Sequence, residues 1–67
     1  MVKLMKIDNT YADGKKSVVI YADTKAEIGE DWEITGFDVN QISAGSVAYT
    51  KAFDVGVFDS DGAINWL

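Results

Sequence analysis

The apolar residues of this chain fall in short runs set apart by polar, turn-forming residues, a pattern that predicts strands rather than long helices. Val2, Leu4 and Ile7 are separated by Lys3 and Lys6, so residues 2–7 read as a half-buried strand in which Met5 breaks the strict alternation. The next stretch, residues 8–16, is polar, and its Asp13-Gly14 pair accepts positive φ, so the chain can reverse there. Ser17 to Ala22, SVVIYA, is β-branched and aromatic, with Val18 and Ile20 on one face and Val19 and Tyr21 on the other. Apolar residues on both faces predict a central strand.

Thr24 with Glu27 three residues later fits a capping box, and Asp23 before it suits the positive end of a helix dipole. A short helix is therefore expected near residues 24–29, stopped by Gly29 and followed by a solvated acidic connection at Glu30-Asp31. Trp32, Ile34 and Phe37 make residues 32–39 too apolar for a free loop, yet their spacing fits neither a clean strand nor a helix. Ala44-Gly45 marks a turn, and SVAYT at residues 46–50 reads as a strand. Phe53, Val55 and Val57 alternate with Asp54 and Gly56 in a further strand reaching Phe58 or Asp59. Asp59-Ser60-Asp61-Gly62 has the chemistry of a type I turn followed by a glycine bulge, which predicts that residues 63–67 return antiparallel. The expected fold is mainly β, or a small α+β domain: four to five short antiparallel strands built from hairpins, with the one short helix. The last strand is expected to be tied into the sheet, so that its deletion unfolds the domain.

Sixty-seven residues allow a single small domain, residues 1–67, because so short a chain cannot divide its apolar side chains between two cores. At 48% hydrophobic and 25% charged the chain is too apolar for intrinsic disorder. It has no Cys and no His, so the disulfides or zinc that staple many small domains are missing, along with thiol and imidazole chemistry. Association with other chains is the remaining common device. No metal and no cofactor is expected. A net charge of −5 repels a phosphate backbone on average, which speaks against nucleic acid as partner. The chain has no apolar run of signal-peptide or membrane-span length, which predicts a soluble protein made in the cytoplasm with no membrane partner.

Several clusters invite a catalytic or ligand reading and fall short of it. Asp59-x-Asp61-Gly62 resembles the start of a calcium loop, but with Gly62 as the sixth loop residue the first ligand position falls on Val57, so a hairpin turn is the expected role. Glu27, Glu30, Asp31 and Glu33 form the densest acidic group; paired carboxylates need a cleft with one member desolvated, and a domain this small has little interior to carve one from. The serines at 17, 43, 46 and 60 have no His to serve as base. Lys15-Lys16 with Lys3, Lys6 and Tyr11 is a thin basic patch without Arg on an otherwise acidic chain. No enzyme and no small-molecule substrate is expected. The large apolar side chains carry more information. Trp32, Phe37, Tyr49, Phe53, Phe58 and Trp66 cannot all be enclosed in so small a core, and Trp32, Phe37, Tyr49 and Trp66 are the candidates for a partner interface.

The order KKSVVIYADTKAEI, then SAGSVAYTKAFDVGVFDSDGAINWL, resembles short virion proteins encoded among the head genes of tailed bacteriophages and prophages. The likeness rests on the strand end and helix start at Ala22 to Ile28, on the strand at Gly45 to Thr50, and on the hairpin at Phe58 to Trp66. Residues 29–42 carry no part of it. The resemblance implies a non-enzymatic virion structural protein, a capsid decoration or head-fibre subunit, present as a homo-oligomer that contacts a capsid or other virion protein. Its localisation would be the virion, after synthesis in the bacterial host cytoplasm. A small acidic phage-encoded inhibitor that imitates DNA charge toward a basic host protein is the alternative reading, ranked lower because the carboxylates are scattered along the chain.

Overall fold

The computed structural model describes residues 1–67 and contains one five-stranded sheet. Its strands lie side by side in chain order: β1 (Val2–Thr10), β2 (Lys16–Ala22), β3 (Val47–Thr50), β4 (Val55–Phe58) and β5 (Ile64–Trp66). Neighbours pair antiparallel except β2 and β3, which run parallel with Val19 beside Val47 and Tyr21 beside Tyr49. The fold is mainly β, as expected, but the sheet is mixed rather than wholly antiparallel.

A parallel pair cannot be joined by a tight turn, and residues 23–46 form the crossover that this one requires. The expected helix near residues 24–29 is a single 3₁₀ turn, Lys25–Glu27. Glu27 still accepts hydrogen bonds from the Asp23 and Thr24 N–H groups (2.9 and 3.1 Å), but only four residues separate Thr24 from Gly29, and Ile28 is drawn into the core. A second 3₁₀ turn, Val39–Gln41, is capped by Asp38, whose carboxylate accepts from the Asn40 N–H at 2.9 Å. The unassigned segment 32–39 contains a single bridge between Ile34 and Phe37 and otherwise no regular structure.

The crossover covers one face of the sheet. Ile28, Ile34 and Ile42 from the crossover pack with Val18, Ile20 and Ala22 of β2, Ala48 of β3 and Phe58 of β4, and these eight buried residues form the core. Where the crossover rejoins the sheet, an isolated parallel bridge pairs Lys16 with Ile42 before the Val19–Val47 register begins. β2 advances three residues between those pairs and its neighbour five. The excess is folded into a turn at Ser43–Ser46, where the buried Ser46 hydroxyl accepts the Val18 N–H at 3.0 Å and so fills the gap in the ladder.

At the far edge, Ile64 and Trp66 of β5 fold over Gly56 of β4: a Cβ at residue 56 would stand 2.6 Å from Ile64 Cδ1 and 2.8 Å from Trp66 Cε3. The missing side chain makes room for the last hairpin to close on the core. At the other edge, β1 carries two bulges. Leu4 pairs with Ile20 and Lys6 with Val19, so Met5 is an extra residue, and Asp8 is a second one between Ile7 and Asn9. The break in alternation at Met5 is thus a bulge, and β1 continues past the expected residue 7 to Thr10.

Candidate interaction site

Three hairpin loops join the antiparallel pairs, and all three have the same backbone. In Tyr11–Lys15, Thr50–Asp54 and Asp59–Ala63 the first residue's N–H donates to the fifth residue's carbonyl (2.8, 3.1 and 2.9 Å). The fourth residue's N–H donates to the first residue's carbonyl in each (2.9, 3.0 and 3.1 Å). This is the type I turn with a bulge in the left-handed region, a position that favours glycine. Gly14 and Gly62 occupy it with φ of 88° and 84°. In the middle loop the residue is Phe53, with φ of 67°. The expected strand from residue 53 therefore begins only at Val55, because Phe53 belongs to the turn.

A Cβ in the left-handed region costs about 1–2 kcal/mol, and the surrounding hydrogen bonds hold Phe53 there nonetheless. The buried Thr50 hydroxyl accepts from the Ala52 and Asp54 N–H groups (3.2 and 3.1 Å) and donates to the Asp54 carboxylate at 2.8 Å. Asp54 in turn lies 3.7 Å from the Lys25 ammonium. The Phe53 side chain is 92% exposed, the most exposed of the large apolar side chains. Lys51, beside it on the same loop, is exposed and has no carboxylate within 4 Å.

The crossover presents a second feature, an open depression of about 660 Å³. Trp32, Phe37 and Val39, each half-buried against the core, supply its apolar wall, and Asp31, Glu33 and Asp38 contribute exposed carboxylates. None of these three acids is in an ion pair. Asp31 is the other non-glycine residue with positive φ, at 55°, but Asp tolerates that region through local hydrogen bonding and Phe does not.

The sheet face opposite the crossover has no layer of its own over it. The pairing places Val19, Val47 and Val57 in one row across that face and Tyr21, Tyr49 and Val55 in the next, with Lys3 and Lys6 at the β1 edge. Five of these six apolar side chains are half-buried and Tyr49 is 45% exposed.

The four candidate interface residues are divided by this geometry. Trp32 stacks on Phe58 with centroids 5.9 Å apart and, like Phe37 and Trp66, packs half-buried against the core. Lys25 lies over the Trp66 ring at 5.8 Å. Tyr49 stands on the opposite face. Phe53 reads from the sequence as a strand residue and as one of six large apolar side chains too many for the core; the signal of its turn position is a bulky residue where the two sister loops have glycine.

Many of the acidic groups serve the fold. Asp59 accepts from the Asp61 and Ala63 N–H groups and from the Asn65 amide (2.9, 3.0 and 3.3 Å). Chiefly the Ala63 N–H, then Asn65, hold its carboxyl below the usual range. Asp23 and Glu27 both receive the Met1 ammonium, Asp23 at 2.6 Å, and hydrogen bonding to that cation lowers both carboxyls and raises the amine. Compared with models of protein families, with curated proteins and with solved structures, the chain finds no match.

Proposed function

We propose that this chain is a non-enzymatic structural subunit that works through protein–protein contact, in several copies, as a capsid decoration or fibre-type component of a phage virion. The observation that carries the contact role is the uncovered sheet face, where Val19, Val47, Val57, Tyr21, Tyr49 and Val55 form a continuous apolar surface shielded by little more than one another. A contiguous apolar surface on so small a domain is characteristic of a surface covered by another protein. The resemblance of the Ala22–Ile28, Gly45–Thr50 and Phe58–Trp66 segments to small head-region proteins supplies the virion context, and the covering surface is then that of a capsid or other virion protein.

The test is composition and state. Particles purified from producing cells carry the chain at a fixed ratio to the major capsid protein, read by quantitative mass spectrometry. Val47→Lys, which places a charge in the middle of the apolar row, leaves the circular dichroism spectrum unchanged and removes the chain from particles. Absence of the wild-type chain from purified particles overturns the reading.

A further inference from the structure

The Thr50–Asp54 loop and the crossover depression carry opposite charge, and each presents aromatic surface. The loop projects a bare phenyl ring held in a backbone conformation that disfavours it, on the same loop as the exposed ammonium of Lys51, which has no carboxylate within 4 Å and acts on Asp23 only at longer range. The depression offers an aromatic and aliphatic wall of Trp32, Phe37 and Val39, with the unpaired carboxylates of Asp31, Glu33 and Asp38. We propose that copies of this chain associate head to tail, Phe53 of one copy seating in the Trp32–Phe37 depression of the next while Lys51 meets its acidic residues. The inference rests on the structural-subunit reading and specifies which surfaces the copies use on each other.

Three physical arguments favour a second copy as the occupant. A left-handed phenylalanine is destabilising in the isolated chain, where glycine would satisfy the same turn, and the 92% exposed ring gains little from packing on its own chain, which favours a use outside it. Aromatic anchors entering apolar pockets ringed by polar residues are where association free energy concentrates. The chain's net charge of −5 makes like copies repel, and a contact that pairs one of its few free cations with three unpaired carboxylates offsets this locally. Loop and depression are different surfaces, so the contact is heterologous, and repeating it builds rings or filaments rather than a closed symmetric pair.

Native mass spectrometry and sedimentation velocity of the full chain, over a concentration series into the high micromolar range, test this with two exposed-site variants. Phe53→Gly removes the ring and keeps the turn. Glu33→Lys reverses a charge in the depression and keeps the loop. The wild type forms concentration-dependent oligomers that weaken with added salt. Each variant alone associates at least about tenfold more weakly, with an unchanged circular dichroism spectrum. An equal mixture of the two gives a one-to-one pair that does not extend, because only the intact depression of Phe53→Gly and the intact loop of Glu33→Lys fit together. A monomeric wild type, oligomers of Phe53→Gly as strong as those of the wild type, or a mixture without the mixed pair overturns the inference. Those outcomes are separate from the functional reading: a chain present in particles but monomeric in solution keeps its structural role and loses this contact.

Discussion

The loops Asp59–Ala63 and Thr50–Asp54 lie at opposite ends of β4 and share one backbone, yet they reach it by different means. In the first, Gly62 adopts its positive φ freely and the Asp59 carboxylate collects two backbone N–H groups and an amide. In the second, Thr50 does the collecting with a buried hydroxyl, and Phe53 is held where glycine belongs. The first loop follows every local preference for its shape. The second departs from them at one residue and is braced around it. A departure of that kind costs the domain stability and persists because the hydrogen bonds around it hold the turn closed.

The largest effect is expected between the two loops, at Gly56. Gly56→Val drives a side chain into Ile64 and the Trp66 ring, and it costs about 3 kcal/mol in urea unfolding while the Thr50–Asp54 loop is left untouched. Thr50→Val strips the acceptor from two N–H groups at a buried site and costs about 2 kcal/mol by the same measurement. Exchanging the fourth residues of the loops gives opposite signs. Gly62→Phe costs about 1–2 kcal/mol, whereas Phe53→Gly stabilises the monomer by up to about 1 kcal/mol, seen as a higher urea midpoint. A loss of stability in Phe53→Gly would mean that the ring packs on its own chain.

The smallest effect is one of pH. Folding lowers the Asp59 carboxyl below its unfolded value, so its ionised form contributes stability in full above the unfolded value, near pH 4, and loses it as pH falls toward the lower folded value. Thermal melts of the wild type and Asp59→Asn should therefore differ by a constant amount above about pH 5 and converge as the pH drops below about 4. A gap independent of pH would assign the contribution to turn geometry rather than charge.

Much of this was legible in the residues. SVVIYA forms the central strand β2, Asp59 to Gly62 forms the expected turn with its bulge, and Met5 breaks the alternation because it is a bulge. The parallel pairing of β2 with β3 was not legible, although an apolar run on both faces followed by a connection far too long for a hairpin is its signature. Residues 32–39 gave no periodicity because their order comes from contact with the sheet: Trp32 takes its place from Phe58, and Ile34 from the core as a whole. Phe53 has the sequence signature of a strand residue because its intrinsic preference is for extended backbone, and nothing local announces that Thr50 and Asp54 close a turn around it.

The residues by themselves determined which segments form strands, which side chains share a face and which polar turns reverse the chain, because alternation and turn chemistry act over four or five neighbours. The tertiary structure alone decided that β2 and β3 run parallel, that the crossover claims Trp32 and Phe37 for the core side, and that Tyr49 is left on the open face. Those outcomes depend on which of two apolar sheet faces a single 24-residue connection can cover, and one connection covers only one.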